Sequence, residues 1–155
     1  MQNRINLLAV AFAAILLCGS ANASAWITFP VSTYHKDRLR RDGESWNENQ
    51  HKNGPAFGFE FGQDRGGPSI VTGRYQNSFN KASVYVGVKY EPLQVGPVGI
   101  GLIAGLATGY DRPFIGGLTT SITSKNGSGL VAIWAPSSGA KASSFVSVQA
   151  RLFIH

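Results

Sequence analysis

The sequence predicts an all-β fold: an eight-stranded antiparallel β-barrel of the up-and-down, outer-membrane kind. Three observations predict it. The chain opens on an export signal, the remainder is built from short segments that alternate with a period of two, and their connections alternate between tight and long.

Residues 1–25 read as a secretory signal peptide. Arg4 is the only charge in that stretch, Leu7 to Cys18 is an unbroken apolar run, and Gly19 to Ala25 are small or polar. Ala21-x-Ala23 and Ala23-x-Ala25 both fit the small-x-small pattern, so cleavage is expected after Ala23 or Ala25. The apolar run is shorter than the about 20 residues a helix needs to cross a bilayer. Residues 26–155 then suffice for one domain.

Composition narrows the chemistry. The single cysteine, Cys18, lies in the signal, so residues 26–155 hold no disulfide, thiolate metal site or cysteine nucleophile. Leu17 stands where lipoprotein cleavage requires a small residue, which argues against acylation of Cys18. Charged residues make up 14% of the chain, against about 25% in a typical soluble domain. Low charge with many glycines and aromatics suits a barrel whose outer face meets lipid. The formal charge is +6, one unit of it from Arg4. For an exported chain this excess points to anionic lipid or lipopolysaccharide phosphate as partner, not to nucleic acid.

The eight strands fall at about 26–36, 55–63, 68–78, 82–92, 97–109, 113–123, 128–136 and 144–154. In the second, Phe57, Phe59 and Phe61 share a face opposite Ala56, Gly58, Glu60 and Gly62. In the fourth, Ala82, Val84, Val86, Val88 and Tyr90 oppose Ser83, Tyr85, Gly87 and Lys89. The fifth sets Val98, Ile100, Leu102, Ala104 and Leu106 against Gly99, Gly101, Ile103, Gly105 and Ala107. The eighth sets Val146, Val148, Ala150, Leu152 and Ile154 against Ser147, Gln149 and Arg151. Glycine at inward positions leaves room for a ligand or for close packing. Phe153 fits the aromatic end expected of the last strand. Each segment has the length of a tilted strand that crosses a membrane.

Gly62 to Gly67, Gln94 to Pro97 and Lys125-Asn126-Gly127 are tight turns, whereas Lys36 to Gly54 is long, polar and charged. An N-terminus on the inner side places the long first loop outside and all three tight turns inside, as outer-membrane barrels require. His35 then ends the first strand at the outer rim. Asn77 and Ser78 end the third, and Tyr110, Asp111 and Arg112 form another outer loop. An imidazole, a hydroxyl and a basic loop at one rim point to acyl transfer.

The chain resembles the lipid A palmitoyltransferase (PagP) family over nearly all of residues 26–155. The resemblance rests on Pro30 to His35, on Gln76-Asn77-Ser78-Phe79-Asn80-Lys81, and on Trp46-Asn47-Glu48 ahead of Gly54 to Gly58. Pro136 after Trp134-Ala135 and Arg151 in the last strand add to it. It implies an outer-membrane enzyme that moves a palmitoyl-type chain from a phospholipid to lipid A. His35 and Ser78 would be catalytic, and Asn77 would stand at the position of the family's aspartate. Pro30 and Pro136 would open lateral gaps for lipid tails, since a strand proline cannot donate to the ladder. No cofactor is implied, because the donor ester is already activated, and no metal spacing occurs.

Three departures qualify the resemblance. Asn77 cannot stabilise an imidazolium by charge, and Asp37, two residues beyond His35, is the substitute carboxylate to test. The family's N-terminal amphipathic helix is absent. His35 shares parity with Ile27, Phe29 and Val31, so it turns inward only if Pro30 shifts the pleat; Ser78 shares parity with Arg74 and Gln76, which suits an interior. In the first loop Arg38, Arg40 and Arg41 are candidates to bind lipopolysaccharide phosphates.

Two other functions compete. A small, monomeric, non-enzymatic outer-membrane barrel of the OmpA or OmpX type predicts a charged interior, for which Glu60, Arg74, Lys89 and Arg151 are the candidates. A soluble lipocalin-like binder also fits the long first loop but not the low charge or the stripes of Phe and Val.

Overall fold

A computed structural model of the chain describes residues 23–35, 56–63, 66–76, 82–109, 113–136 and 144–154. Within them run eight strands: β1 (Ala23–His35), β2 (Phe57–Gln63), β3 (Pro68–Gln76), β4 (Ala82–Val95), β5 (Val98–Ala107), β6 (Phe114–Thr123), β7 (Gly129–Ala135) and β8 (Phe145–Phe153). Each pairs antiparallel with the next and β8 pairs with β1, so the sheet closes into a barrel with no free edge. The strand limits fall close to those expected from the alternation. β1 starts earlier than expected: Ser24 and Ala25 pair with Gly62 and Phe61. Cleavage after Ala25 would remove those pairs, and cleavage after Ala23 would keep them.

The three tight turns fall at one end and the long first connection at the other, as the sequence predicts. The β2–β3, β4–β5 and β6–β7 turns gather at the end where β1 begins and β8 finishes, hereafter the turn end. Each carries a glycine in the left-handed region, Gly66 (φ 78°), Gly96 (φ 58°) and Gly127 (φ 83°), where other residues are strained. The other four connections lie at the opposite, loop end; three of them are longer than any of these turns, and β3–β4 spans five residues, as many as β6–β7.

Side chains sort by parity. Large apolar residues point outward and are exposed on every strand except β3, among them Phe29, Phe61, Val88, Leu102, Leu118, Leu130 and Leu152. Small, polar and charged residues point inward, including Ser69, Ser83, Thr119, Ser121 and Ser147, all buried. The molecule therefore buries its polar face and exposes its apolar one.

Two prolines interrupt this alternation. The β1–β8 register shifts between Pro30 and Ser32, and the β4–β5 register shifts between Tyr90 and Leu93, around Pro92. Proline has no N–H to give the ladder, and a bulge is where a sheet accommodates it. The first shift reverses the pleat of β1. Trp26 and Thr28 are buried, Phe29 and Val31 are exposed, and Thr33 is buried again beyond the bulge.

The inward glycines serve close packing. Above Gly58 lie the Tyr85 and Thr28 hydroxyls, and a Cβ on Gly73 would come within 2.7 Å of the Tyr85 ring and of the Gly58 backbone. These two glycines form the bed on which Tyr85 crosses the barrel. Gly58→Ala and Gly73→Ala are each expected to destabilise the barrel by about 1–3 kcal/mol, the usual cost of overpacking. Gly116→Ala, whose Cβ would meet only the Ile103 carbonyl at 3.6 Å, should have almost no effect. Urea unfolding in detergent micelles, followed by tryptophan fluorescence, compares the three.

Candidate functional site

The described strands contain five charged residues: Glu60, Arg74, Lys89, Glu91 and Arg151. Four are buried in the barrel, with Glu60 and Lys89 each 3% exposed and Glu91 and Arg151 each 6%. Their inward direction follows from strand parity: Glu60 opposes the Phe57-Phe59-Phe61 stripe, Lys89 and Glu91 flank outward Tyr90, and Arg151 opposes Leu152.

These four form one cluster in the turn-end half. Glu60 Oε1 lies 2.7 Å from Lys89 Nζ and accepts hydrogen bonds from Arg151 NH1 at 3.1 Å and Ser69 Oγ at 2.9 Å. Glu91 Oε2 lies 3.5 Å from Lys89 Nζ and accepts from Ser121 Oγ at 2.9 Å. Arg151 NH2 donates to Thr123 Oγ1 at 2.8 Å. Two carboxylates and two cations leave the cluster formally neutral. An unpaired buried charge is prohibitively costly, and this arrangement gives each charge an opposite partner, although Lys89 Nζ, Glu91 Oε1 and Arg151 Nε make no hydrogen bond.

Trp26 supports the cluster from β1. It is 1% exposed, its Nε1 donates to the Gly127 carbonyl at 3.0 Å, and its ring lies 4.7 Å from the Arg151 guanidinium carbon. A guanidinium at that range is attracted to the indole face. Phe153 meets Trp26 edge-on at 5.8 Å.

Little space remains. One cavity of about 20 Å³ lies beside Gln63, Gly66, Ser69 and Gln94, toward the turn end. A second of about 20 Å³ lies among Thr28, Val71, Tyr85, Ile103, Val131 and Gln149. Each has room for about one water molecule. Glu60 and Lys89 line both, so their ion pair stands between the two. Among the described residues no three His, Cys, Asp or Glu side chains come together as a metal site.

The residues expected to carry acyl transfer are mostly not described. Asp37, Arg38, Arg40, Arg41, Asn77 and Ser78 lie outside the described residues. His35 is the last residue of β1, paired with Phe145 and two positions beyond buried Thr33. The parity expected from Ile27, Phe29 and Val31 does not extend past the bulge. Pro30 sits at that bulge, and Pro136 follows directly on β7. Arg74 corrects an expectation: it is exposed on the outward face, opposite Phe57 and Val84, with Val71 and Ser69 marking the inward parity of β3. The parity shared by Ser78 and Arg74 therefore no longer argues for an interior position.

Glu91 and Trp26 were not singled out in the sequence. Lys89-x-Glu91 on one face was the signal for Glu91, and the proline that follows obscured it. Compared with known families and curated proteins, the chain matches none.

Removing one partner from the cluster strands its opposite. Glu60→Gln leaves Lys89 and Arg151 with Glu91 alone and is expected to destabilise the barrel by about 3–5 kcal/mol. The urea midpoint should fall accordingly, while Lys125→Gln, in an exposed turn, should leave it unchanged.

Proposed function

We propose that this chain is a small, non-enzymatic β-barrel of a Gram-negative outer membrane, of the OmpA or OmpX type, acting in adhesion or envelope integrity through its shape and surface. The observation that carries the reading is the combination of an outward apolar face with an interior filled by the Glu60–Lys89–Glu91–Arg151 cluster. In water that arrangement exposes large apolar area and hides charge. In lipid the outward face is solvated by acyl chains, and closure of the sheet pairs the strand backbone outside the two bulges, as lipid cannot. A soluble lipocalin-like binder requires the opposite: an apolar cavity and a polar exterior.

Acyl transfer remains the second reading, and the bulge at Pro30 with Pro136 at the end of β7 favours it. Pro30 shifts the β1–β8 register at mid-strand, opposite Gln149, and Pro136 follows the last β7–β8 pair; in this reading a lipid tail would enter between strands at these places. Against it stands the tight packing of the interior around Glu60 and Lys89. Pockets for drug-sized ligands run to about 300 Å³ or more. The two cavities that Glu60 and Lys89 line are about 20 Å³ each. In this reading His35 and Ser78 act on the donor ester, with Asn77 or Asp37 orienting the imidazole, and phospholipid and lipid A are the partners.

Mass spectrometry of lipid A separates the two. The full chain is expressed in a Gram-negative host lacking its own lipid A palmitoyltransferase, and its folding is verified by heat-modifiable mobility of the outer-membrane fraction. The structural reading predicts folded protein and unchanged lipid A. A mass increment of one acyl chain, lost in His35→Ala and Ser78→Ala, would overturn it in favour of the enzyme.

A further inference from the structure

Arg74 is the one charged residue of the described strands that does not enter the interior cluster. It is exposed on the outward face of β3, the strand that carries no exposed large apolar side chain. Its register partners are Phe57, the first residue of β2, and Val84, near the start of β4, and it stands two residues before the loop-end terminus of β3. No described residue forms an ion pair with it.

Exposed aromatic side chains stand near the loop-end termini of other strands. Tyr34 is the penultimate residue of β1, Phe114 the first of β6 and Trp134 the penultimate of β7, and all are exposed. Outward aromatics near strand ends are how a barrel meets the boundary between acyl chains and headgroups. A lipid-facing arginine is strongly unfavourable at the bilayer midplane and tolerated near that boundary. Its aliphatic stem covers neighbouring apolar surface while its planar fork reaches the headgroup layer, where a phosphate accepts two parallel hydrogen bonds.

We infer that Arg74 is a lipid-phosphate site on the outside of the barrel, clamping the phosphate of an anionic lipid at the loop-end interface. The inference rests on the membrane reading above. It differs from the expectation for Arg38, Arg40 and Arg41, which belong to the first loop; this site is on the strand wall. Phe57 and Val84 flank it and offer apolar contact to the acyl chains of the same lipid.

The test uses the full processed chain, folded in detergent micelles, with native mass spectrometry of bound lipid. Three probes are added separately: bisphosphorylated lipid A, the same lipid A after phosphate removal, and phosphatidylglycerol. The parent should retain the phosphorylated probes over the dephosphorylated one. Arg74→Gln should weaken that retention about tenfold, the scale of one charge-assisted contact, and Arg74→Lys should restore part of it. A loss confined to lipid A identifies a phosphate monoester as the ligand; a loss for both identifies any anionic lipid phosphate. Equal retention by parent and Arg74→Gln, with both folded, would overturn the inference and leave the membrane reading intact. Failure of the parent to fold in micelles would overturn the membrane reading itself.

Discussion

Burying four formal charges inside one barrel requires each carboxylate to meet a cation, and that requirement ties together strands far apart in sequence. Glu60 on β2 holds Lys89 on β4 and Arg151 on β8, while Glu91 reaches Ser121 on β6 and Arg151 reaches Thr123. Trp26 brings β1 to the same centre through the Arg151 guanidinium, and its indole N–H holds the Gly127 carbonyl of the β6–β7 turn. A one-residue slip of any of these strands would turn its charge to the outer face and leave the opposite charge unpaired. The cluster thus specifies register where the outer face, apolar on nearly every strand, would tolerate several. It also leaves the turn-end interior without room for a ligand.

The two halves of the barrel differ for this reason. The turn-end half is charged, with Trp26 packed beneath Arg151. Toward the loop end the buried residues are uncharged, with Tyr85 lying over Gly58 and Gly73 and with Thr33, Ser83, Ala107, Ala135 and Ser147 buried. Both proline bulges serve the arrangement. The one at Pro92 follows immediately on Glu91, and the one at Pro30 reverses the alternation of β1 so that Thr33 is buried and hydrogen-bonded by its Oγ1 to Ser147 at 3.3 Å.

Much of this architecture was legible in the sequence because a barrel strand alternates with period two, and both faces obey the rule. The Phe57-Phe59-Phe61 stripe, the Ala82-to-Tyr90 face and the alternation of β8 all predicted the correct side. So did the sorting of tight turns to one end. The errors came where a proline or a strand end broke the period. Arg74 was expected inside because charge is expected in a barrel lumen, yet its parity with Ile70 and Thr72 places it outside. Glu91 was hidden by Pro92, although its spacing from Lys89 was the signal. The pairing of specific charges was not readable, because it depends on which strands close the barrel and at what stagger, and neither is encoded locally. For the catalytic candidates, only the strand position of His35 and the surroundings of Pro30 and Pro136 are described.

The central claim is that the outward face meets lipid while the cluster and Trp26 stay inside. Fluorescence quenching by lipids brominated on their acyl chains tests it most directly, because bromine quenches only an indole in contact with those chains. Trp26 is 1% exposed within the barrel, and Trp134 is 45% exposed on the outer face. With Trp46 replaced by Phe throughout, the folded protein in brominated vesicles should lose the Trp134 component of its emission. The additional Trp134→Phe substitution should abolish that quenching. Quenching that persists in Trp134→Phe, or its absence when Trp134 is present, would contradict the inside-out arrangement.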